Sequence, residues 1–422
     1  MKRALLLVAA TAFAQVTNAQ VPSDPTTLQR EGMDQRAALK ITDNIHQAIG
    51  FGNTFLITTS EGNVIIDTSS PQPAQFHVKL LKAVSSAPVK YIILTHGHGD
   101  HTGGLRLWKE PGTKIIAHKN QTEFLNYQAR LNGFFSERNA AQFARPRPQV
   151  GESPGNYSVE MPDTILFDDK YEFTLGGVKF EVHATPGETP DHLSVWIPQR
   201  KAAFVGDNYY ESFPNMYTLP GMPPRWALDY VNSLNKVMSW KPDLVMPSHG
   251  RPIRGAEQVQ VQLTRYRDAI LHVHDAVVKG MNAGKDVYTL MREVRLPDHL
   301  IVGESYGRLT WSIRGIYEGY AGWFDMNPST MYESPPSAIY GDLVRLAGGP
   351  EKVITLAEEK LAAGQAVEAL RLTEVALASD PANRAALQMR LRSLEKLRAE
   401  CKNSNERGWL DYSIGLVQGK LK

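Results

Sequence analysis

The sequence predicts a layered α/β domain at residues 20–258 and an all-helical domain at residues 259–422. Two observations support the first domain. Short β-branched strands alternate with amphipathic helices, and one strand leads into a loop rich in histidine and glycine at residues 95–104. The second domain is supported by a change beyond residue 258, where the apolar residues follow helical spacing.

The first 19 residues predict a secretory signal peptide. Lys2 and Arg3 precede an apolar run at residues 4–14 that is too short to span a bilayer, and Thr17-Asn18-Ala19 offers a small-x-small cleavage site. A buried or anchoring helix is the alternative, but polar residues end the apolar run early. We therefore expect a periplasmic or secreted protein that starts near Gln20 and has no membrane span after signal removal.

Charge and cysteine content narrow the class of protein. The chain has 46 basic and 44 acidic residues, and loss of Lys2 and Arg3 with the leader brings the two counts to balance. Balanced charge favours neither nucleic acid nor an anionic membrane as a partner. Cys401 is the single cysteine, which excludes a disulfide within the chain.

The first strands of the α/β domain lead to an aspartate. Strands are predicted at residues 45–49, 54–59 and 64–67, with a tight turn at Glu61-Gly62-Asn63. Asp67 ends the third strand, and two roles are open for it. It is either a hydrogen-bond acceptor behind the histidine-rich loop, or a helix cap or turn residue.

A helix and a buried strand are predicted next. The helix covers residues 73–85, with one side formed by Phe76, Leu80, Leu81 and Val84. The strand, residues 89–94, is short, apolar and β-branched. Its carboxyl end therefore presents the loop that follows.

The loop contains three histidines and one aspartate in the run His96-Gly97-His98-Gly99-Asp100-His101. Side chains two apart, His96 and His98, can point the same way from an extended turn, while Asp100 and His101 turn toward a second point. Imidazole and carboxylate together suit zinc, with iron or manganese as other choices. The spacing therefore predicts two adjacent metals, and a solvated histidine-rich loop is the alternative.

The segment at residues 121–162 has little apolar periodicity and separates two strands, at 114–117 and 164–167. Such a long segment is often a lid or a binding loop. Phe134 and Phe135, with several arginines nearby, would suit an amphiphilic anion. The alternative is a surface excursion whose aromatic residues pack locally.

Three more candidate ligands follow later strands. Strands are predicted at residues 171–175, 178–184, 193–197, 202–205 and 243–247. Glu188 lies in the loop after the second of these, Asp207 ends the fourth, and His249 follows the fifth. Glu188 and Asp207 alone would be interpreted as turn residues. Their order after the histidine loop favours metal ligation instead. A lone histidine is usually structural, so His249 is a candidate only through the resemblance to a known family.

The helical domain carries no catalytic constellation. Helices are predicted at residues 259–279, 288–294, 307–320, 350–363, 365–378 and 381–402. Residues 366–397 resemble one tetratricopeptide-type hairpin, but a single unit does not make an array. Packing, dimerisation or closure over the site are the roles expected of this domain.

Two motifs resemble known families. The run from His96 to His101 resembles the His-x-His-x-Asp-His motif of the metallo-β-lactamase superfamily, which implies an αββα sandwich. The helical half contains Tyr306-Gly307-Arg308-Leu309-Thr310-Trp311-Ser312-Ile313-Arg314 and later Leu346-Ala347-Gly348-Gly349. This part is similar to the dimerisation domain of the zinc-dependent alkyl sulfatases, which implies a homodimer.

The alkyl sulfatase resemblance implies two Zn²⁺ ions per chain, although another divalent metal is possible. One ion would be held by His96, His98 and Glu188, the other by Asp100, His101 and His249. Asp207 would bridge the two ions. Many lactamase-fold hydrolases have a histidine where this chain has Glu188, and the sulfatase family usually has glutamate where this chain has Asp207.

The resemblance also implies substrate residues. The segment around Asn215 and Tyr217 is similar to a family stretch that carries an arginine where this chain has Pro220. We therefore expect Asn215, Tyr217 and Arg225 to hold the sulfate, with Arg225 in place of the missing arginine. Asp207, His192 and Arg225 are the expected catalytic residues, and for His192 a role behind the ligands is also open.

The expected function is hydrolysis of alkyl sulfate esters to an alcohol and inorganic sulfate, through a metal-activated water. Pro220 supports an alternative, a lactamase-fold hydrolase of a lactone, thioester or phosphodiester. A third possibility is a non-catalytic periplasmic binding protein. The complete set of seven candidate ligands argues against it.

Overall fold

The computed structural model describes residues 31–145, 163–223 and 225–422. The predicted signal peptide lies outside the described residues. The same holds for residues 20–30 of the predicted α/β domain and for residues 146–162 of the predicted lid.

Among the described residues, seven strands form a first sheet in the order of the sequence. They are β1 (Leu39–Lys40), β2 (Ile45–Ala48), β3 (Thr54–Thr59), β4 (Gly62–Ile66), β5 (Val89–Ile93), β6 (Lys114–His118) and β7 (Thr164–Phe167). Neighbours from β1 to β4 are antiparallel, whereas those from β4 to β7 are parallel. Because β4 and β5 are parallel, Asp67 and the histidine-rich loop leave the sheet at the same edge.

A second sheet has six described strands, also in the order of the sequence. They are β8 (Lys170–Leu175), β9 (Val178–Ala184), β10 (Leu193–Ile197), β11 (Ala202–Gly206), β12 (Leu244–Pro247) and β13 (Ile253–Arg254). All neighbours are antiparallel except β11 and β12. This one parallel pair places Asp207 and His249 side by side, because each follows the carboxyl end of its strand.

The two sheets pack face to face over an apolar core. Phe55 and Ile66 of the first sheet belong to the same buried cluster as Phe180, Val195 and Phe204 of the second. The rings of Phe55 and Phe204 meet edge to face with their centroids 5.1 Å apart. Strand β10 is buried along its whole length, since both of its faces are covered.

Three helices follow strands of the first sheet, and the first and third of them pack on its outer face. They are α1 (Pro71–Lys82), α2 (Gly99–Thr102) and α3 (Leu105–Trp108). Helix α1 starts with Pro71 at its first position, where the missing N–H costs nothing. Its buried side contains Leu80, Leu81 and His77, whereas Phe76 is partly exposed and Val84 lies beyond the end of the helix. The four apolar residues predicted on one side of the helix therefore do not share a buried face.

Longer helices cover the outer face of the second sheet. They are α6 (Ala227–Ser239) and α7 (Ala256–Asn282), together with α8 (Val287–Glu293) and α9 (Leu309–Ala321). One buried cluster joins Val205 and Val245 of the sheet to Leu234 of α6, Leu263 of α7 and Ile313 of α9. The arrangement is thus helices, two sheets and helices, and the predicted αββα fold class with a following helical region is confirmed.

The predicted boundary at residues 258 and 259 stays a prediction. The core of the second outer layer continues from α6 into α7, so the chain crosses this boundary without leaving the packed layer.

The remaining described helices form an appended bundle. They are α10 (Tyr340–Ala347), α11 (Pro350–Ala362), α12 (Ala366–Ser379), α13 (Arg384–Glu400) and α14 (Ser404–Leu421). Residues 322–339, before this bundle, contain only two short 3-10 turns and are largely exposed. Among the described helices, none has the length and hydropathy needed to cross a bilayer.

The described part of the predicted lid is helical rather than an extended loop. Helices α4 (Gln121–Arg130) and α5 (Asn132–Gln142) account for most of residues 121–145. The ring of Phe134 is half exposed and stacks under Arg138, whose guanidinium carbon lies 4.9 Å from the ring centroid. Helix α5 packs against α14, so this segment is tied to the carboxyl-terminal helix.

Candidate metal centre

Four loops bring the predicted ligands to one edge of the sandwich. The loop after β5 carries His96, His98, Asp100 and His101, the loop between β9 and β10 carries Glu188, and the ends of β11 and β12 supply Asp207 and His249. Loops held by two packed sheets can fix side chains accurately, which a metal site requires.

The first group consists of His96, His98, Glu188 and Asp207, whose ligand atoms all lie within 4.8 Å of one another. His96 Nε2 is 2.8 Å from His98 Nδ1. Glu188 Oε1 lies 3.7 Å from His98 Nδ1, and Asp207 Oδ2 lies 3.7 Å from His96 Nε2. Nitrogen and oxygen ligands therefore converge on one point.

The second group consists of Asp100, His101 and His249. Asp100 Oδ2 lies 3.3 Å from His101 Nε2 and 3.6 Å from His249 Nε2. Asp207 Oδ2 is 3.5 Å from His101 Nε2 and 3.0 Å from His249 Nε2. Asp207 is thus next to both groups, as a bridging carboxylate would be.

The chemistry of these residues fits a divalent cation. Burial lowers the pKa of the His98 imidazole to about 3, and burial also lowers the pKa of His96, so both rings present lone pairs at neutral pH. The neighbouring imidazoles hold the pKa of Asp207 well below its usual value despite burial, which keeps its carboxylate ionised. Asp207 Oδ1 is buried and has no hydrogen-bond partner among the described residues. A cation would neutralise this cluster and satisfy these atoms.

Asp67 supports the histidine-rich loop from behind. Its Oδ2 accepts hydrogen bonds from His101 Nδ1 at 2.9 Å, from Thr95 Oγ1 at 2.8 Å and from Ser248 Oγ at 2.7 Å. Its Oδ1 accepts from the backbone amide of Thr95 at 2.8 Å. These contacts fix the ring of His101 with Nε2 toward the site. Of the two predicted roles, the acceptor behind the loop is confirmed.

His192 lies behind the ligands rather than in front of them. Its fully buried ring accepts the backbone amide of Asp207 at Nε2, 3.1 Å away, and its Nδ1 is 3.1 Å from Thr185 Oγ1. Both ring nitrogens are therefore engaged by the fold. This placement disfavours the expected catalytic role for His192 and favours a role in orienting Asp207.

Glu188 has two strong neighbours on its second oxygen. The hydroxyl of Tyr230 donates to Oε2 at 2.6 Å, and the guanidinium of Arg225 pairs with the same atom. The backbone amide of Glu188 donates to Asn208 Oδ1 at 3.0 Å. Burial raises the pKa of the Glu188 carboxyl, while Arg225 and Tyr230 favour its charged form. Oε1 is left free to face His98.

The predicted substrate residues separate into two sets. Arg225 is buried beside Glu188, and its backbone amide donates to the carbonyl oxygen of Met216 at 3.1 Å. The neighbouring Asn215 is also buried, and its backbone amide donates to Tyr210 Oη at 2.7 Å. The hydroxyl of Tyr217 instead donates to Glu318 Oε2 of α9 at 2.7 Å. The expectation that Tyr217 contacts substrate is therefore not supported, since its polar end is bound to the helical layer.

Sequence reasoning missed Tyr306 as a site residue. Its ring centroid lies 6.0 Å from that of Phe51 and 5.9 Å from that of Tyr210, and both of those rings contact the ring of His249. Burial and the nearby carboxylate of Asp100 raise the pKa of Tyr306, so its hydroxyl remains a donor at neutral pH. Its position at the start of the Tyr306-Gly307-Arg308 motif was the available signal.

A cavity of about 750 Å³ opens beside the ligands. Glu188 and Arg225 form part of its wall, and Phe124 of α4 forms another part. The ring of Phe124 lies 5.3 Å from the ring of His98, so the cavity is adjacent to the first ligand group. The site therefore combines a metal-binding end with a roomy, partly aromatic compartment.

Comparison with known proteins gives two family matches. Residues 48–249 match the metallo-β-lactamase superfamily, and residues 289–413 match the alkyl sulfatase dimerisation family. The seven candidate ligands all lie within the first match.

Curated relatives match both regions together. A linear primary-alkylsulfatase of Pseudomonas sp. is 29% identical over 391 residues, which are 87% of this chain and 74% of the relative. An alkyl/aryl-sulfatase of Saccharomyces cerevisiae is 27% identical over 90% of this chain and 63% of the relative. The chain thus spans between about three fifths and three quarters of these relatives.

A solved structure has the same fold. The stereoselective inverting sec-alkylsulfatase of Pseudomonas sp. superposes with a TM-score of 0.83 at 22% identity, over 91% of this chain and 66% of that one. At this identity the similarity establishes the fold, including the helical region, and leaves the activity to be argued from the site.

Proposed function

We propose that this chain, which belongs to the metallo-β-lactamase superfamily and carries an alkyl sulfatase dimerisation domain, hydrolyses alkyl sulfate esters to an alcohol and inorganic sulfate. The observation that supports this most is the pairing of a complete two-group ligand set with a helical domain that, in the curated relatives, accompanies alkylsulfatases. The ligand set alone would favour hydrolysis without choosing an ester.

We propose two zinc ions per chain, one in each ligand group. His96, His98 and Glu188 would hold one, Asp100, His101 and His249 the other, and Asp207 would bridge them. The mixed imidazole and carboxylate donors suit zinc. Such ions would supply positive charge for the ester oxygens and lower the pKa of water toward neutrality.

The chain's own groups would bind and orient the sulfate. Arg225, held against Glu188, brings a permanent positive charge to the wall of the cavity, and Tyr306 contributes a hydroxyl that stays protonated. Asn215 is buried in the same segment as Arg225 and is a candidate for a further contact. Asp207, which lies next to both ligand groups, would act in the reaction as their shared ligand.

The cavity beside Glu188 would receive the organic group. Its wall includes aromatic and other apolar side chains, Phe124, Tyr127, Met222 and Trp226. Apolar burial of an alkyl chain would add binding energy in proportion to the area removed from water. Pro220 still allows the alternative ester classes, namely lactones, thioesters and phosphodiesters, because the arginine expected there is absent.

A substrate panel tests the choice among these esters. Purified, zinc-loaded protein is assayed with an alkyl sulfate, a lactone, a thioester and a phosphodiester of similar size, with kcat/KM measured for each. Release of sulfate at the highest kcat/KM supports the proposal. A lactone, thioester or phosphodiester hydrolysed far faster than the sulfate would replace it with the corresponding activity.

We also propose that the protein is a homodimer. Residues 320–346, here called the apolar arm, expose large apolar side chains, with Trp323 77%, Met326 86% and Leu346 80% exposed. Isolated exposed apolar residues are common, but such a concentration is typical of an interface. The arm lies within the match to the dimerisation family, which supports a second copy of the chain as its partner.

Export remains a proposal that depends on the sequence. The signal peptide predicted at residues 1–19 would direct the protein to the periplasm or the medium. Fractionation of the native host, with amino-terminal sequencing of the mature protein, tests it. A mature chain that starts near Gln20 in the exported fraction supports export, and an intact Met1 in the cytoplasmic fraction would refute it.

A further inference from the structure

The cavity beside the metal centre has a charged wall as well as an apolar one. Besides its aromatic residues, it is lined by four carboxylates that are not metal-ligand candidates, Glu123, Asp168, Asp169 and Asp229. Binding of an alkyl chain does not require carboxylates. The charge and ion pairing of these four side chains therefore influence which organic groups the cavity accepts.

Three of these carboxylates are compensated by a neighbouring cation. Glu123 pairs with Arg130 at 2.5 Å, and Asp168 Oδ2 lies 2.7 Å from Lys119 Nζ. Asp169 Oδ1 lies 3.2 Å from Lys236 Nζ. All three carboxylates are well exposed, at 70% or more of their side chains. Solvent screening and the paired cations therefore weaken their effect on a bound group.

Asp229 differs from the other three. It lies in the first turn of α6, and its carboxylate forms no hydrogen bond or ion pair with any described residue. Its side chain is half-buried, and the wall of the cavity desolvates it enough to raise the pKa of the carboxyl. An uncompensated charge in such a place acts more strongly on its neighbours than an exposed pair does.

Asp229 is also close to the aromatic part of the cavity in sequence and in structure. Trp226, three residues earlier, lines the same cavity, and its backbone carbonyl accepts the amide of Asp229 at 3.1 Å. Arg225 comes just before Trp226 and reaches Glu188 at the inner end. The segment 225–229 thus runs along the cavity from the metal centre toward Asp229.

We propose that the organic group of the ester lies in this cavity and that Asp229 selects against a second negative charge on it. The preferred substrates are then sulfate monoesters whose organic group is neutral or ends in a protonated amine, and ω-carboxylated esters are hydrolysed less efficiently. This inference rests on the proposed sulfatase function and adds the class of organic group that the site accepts.

A simpler role for Asp229 is stabilisation of helix α6, because a carboxylate in the first turn interacts favourably with the helix dipole. That role predicts a change in melting temperature on substitution and no change in substrate preference. The two roles are therefore distinguished by the ratio of kcat/KM for an ammonium ester to kcat/KM for a carboxylate ester, measured within one variant.

The test uses three series of alkyl sulfates, from butyl to dodecyl, that end in a methyl, an ammonium or a carboxylate group. The kcat/KM for sulfate release is measured for each with zinc-loaded wild type and Asp229→Asn at low and high salt. In wild type we expect the ammonium ester to exceed the carboxylate ester by roughly tenfold at the best chain length. In Asp229→Asn the ratio should fall to within about twofold.

Asp168→Asn is the matched control, because Asp168 lines the same cavity but is exposed and paired with Lys119. It should change the ratio by less than about twofold. A wild-type ratio near one, or an equal change in both variants, would overturn the selection by Asp229. If none of the esters, the neutral ones included, releases sulfate, the sulfatase function itself fails and this inference fails with it.

Discussion

At the scale of single residues, Glu188 shows how a metal ligand is prepared by its surroundings. One carboxylate oxygen faces His98, and the other is occupied by Tyr230 and Arg225. These two neighbours keep the carboxylate in one orientation and favour its charged form, although burial opposes ionisation. The ligand therefore depends on residues that never touch the metal.

Removal of the Tyr230 hydroxyl should weaken metal binding. In Tyr230→Phe the 2.6 Å hydrogen bond to Glu188 Oε2 is lost while the ring still fills its place in the core. We expect zinc affinity at the first ligand group to fall by roughly 10-fold to 100-fold, as for other residues that orient a ligand. Competition with a chromogenic chelator measures it.

Tyr266→Phe is the matched control. Tyr266 is equally buried in the same cluster, but no hydrogen bond joins its hydroxyl to a candidate metal ligand among the described residues. Its removal should leave zinc affinity within about twofold of wild type. Equal losses in both variants would show that core packing, and not the bond to Glu188, supports the metal.

The sequence predicted the ligands better than the residues around them. His96, Glu188 and His249 follow predicted strands in order, and polar residues at strand ends are visible in a single sequence. Tyr230 lies at an apolar position of α6 and could not be told from a core residue. The sequence alone also could not show that Tyr306, rather than Tyr217, lies at the metal centre. The hydroxyl of Tyr217 is bound to a residue of α9, and this contact depends on how α9 packs.

At the scale of secondary-structure elements, helix α14 packs closely against the lid helix α5. Gly408 of α14 lies against the backbone carbonyl of Gln142, with no space for a side chain. The same helix follows Asn403, whose side chain donates to the carbonyl oxygen of Tyr306 at 2.9 Å. One helix thus supports both the lid and a residue of the metal centre.

Gly408→Ala should destabilise the protein, since its Cβ would overlap the carbonyl oxygen of Gln142. We expect a loss of about 2–3 kcal/mol in the free energy of unfolding, as in other overpacked sites. Gly415→Ala in the same helix meets nothing within 4 Å and should gain about 0.5–1 kcal/mol from helix propensity. Urea unfolding of both variants checks this, and a neutral Gly408→Ala would contradict the close packing.

Helix α1 is joined to the first sheet by a buried histidine that should make stability depend on pH. His77 Nδ1 lies 3.0 Å from Thr54 Oγ1, and Nε2 lies 3.2 Å from the carbonyl oxygen of Ile49. Burial lowers the pKa of His77 from 6.5 to about 4. Between these two pH values His77 is therefore protonated in the unfolded chain and neutral in the folded chain.

The stabilising effect is fully present above pH 6.5 and is lost as the pH falls from 6.5 to about 4, because the unfolded state binds more protons in that interval. A shift of this size corresponds to about 3 kcal/mol. The free energy of unfolding is measured across the interval, in chelator, for wild type and His77→Gln. The variant should lose this part of the pH dependence, and identical slopes would refute the assignment.

Eleven of the thirteen described strands were predicted within about two residues, because the central strands are covered on both faces and their sequences are short and continuously apolar. The two-residue strands β1 and β13 were not predicted. Helices α4 and α5 were not predicted, and neither were α6, α10 and α14. The buried sides of α4 and α5 include polar Gln121, Ser136 and Gln142, so the apolar residues alone do not mark a helical face. Helix α1 was predicted, but its buried side was not, because a polar residue, His77, lies on that side.

At the scale of the whole molecule, the metal centre belongs to both sheets and the helical part supports it. Ligands come from the first sheet through β5 and from the second through β9, β11 and β12. The helical part adds Tyr306, which Asn403 and Asn405 hold through its backbone carbonyl. The sequence similarity to alkylsulfatases also covers both parts, over 87% and 90% of this chain in two relatives.

The apolar arm should form the dimer interface. Leu346→Glu places a charge at a position that is 80% exposed in the single chain, so it should not disturb folding. We expect wild type to have twice the chain mass in light scattering and Leu346→Glu to dissociate at micromolar concentration. Leu416→Glu, an exposed leucine of α14 outside the arm, should remain dimeric. A monomeric wild type, or equal behaviour of both variants, would refute the interface.

The most direct test of the proposed function is sulfate release from octyl sulfate with metal analysis of the same sample. We predict zinc at two ions per chain and sulfate release in wild type, and loss of zinc and sulfate release together in His98→Ala, because His98 Nδ1 lies next to both His96 Nε2 and Glu188 Oε1. A fully metallated wild type that releases no sulfate, or a His98→Ala variant that keeps wild-type turnover, would contradict the account.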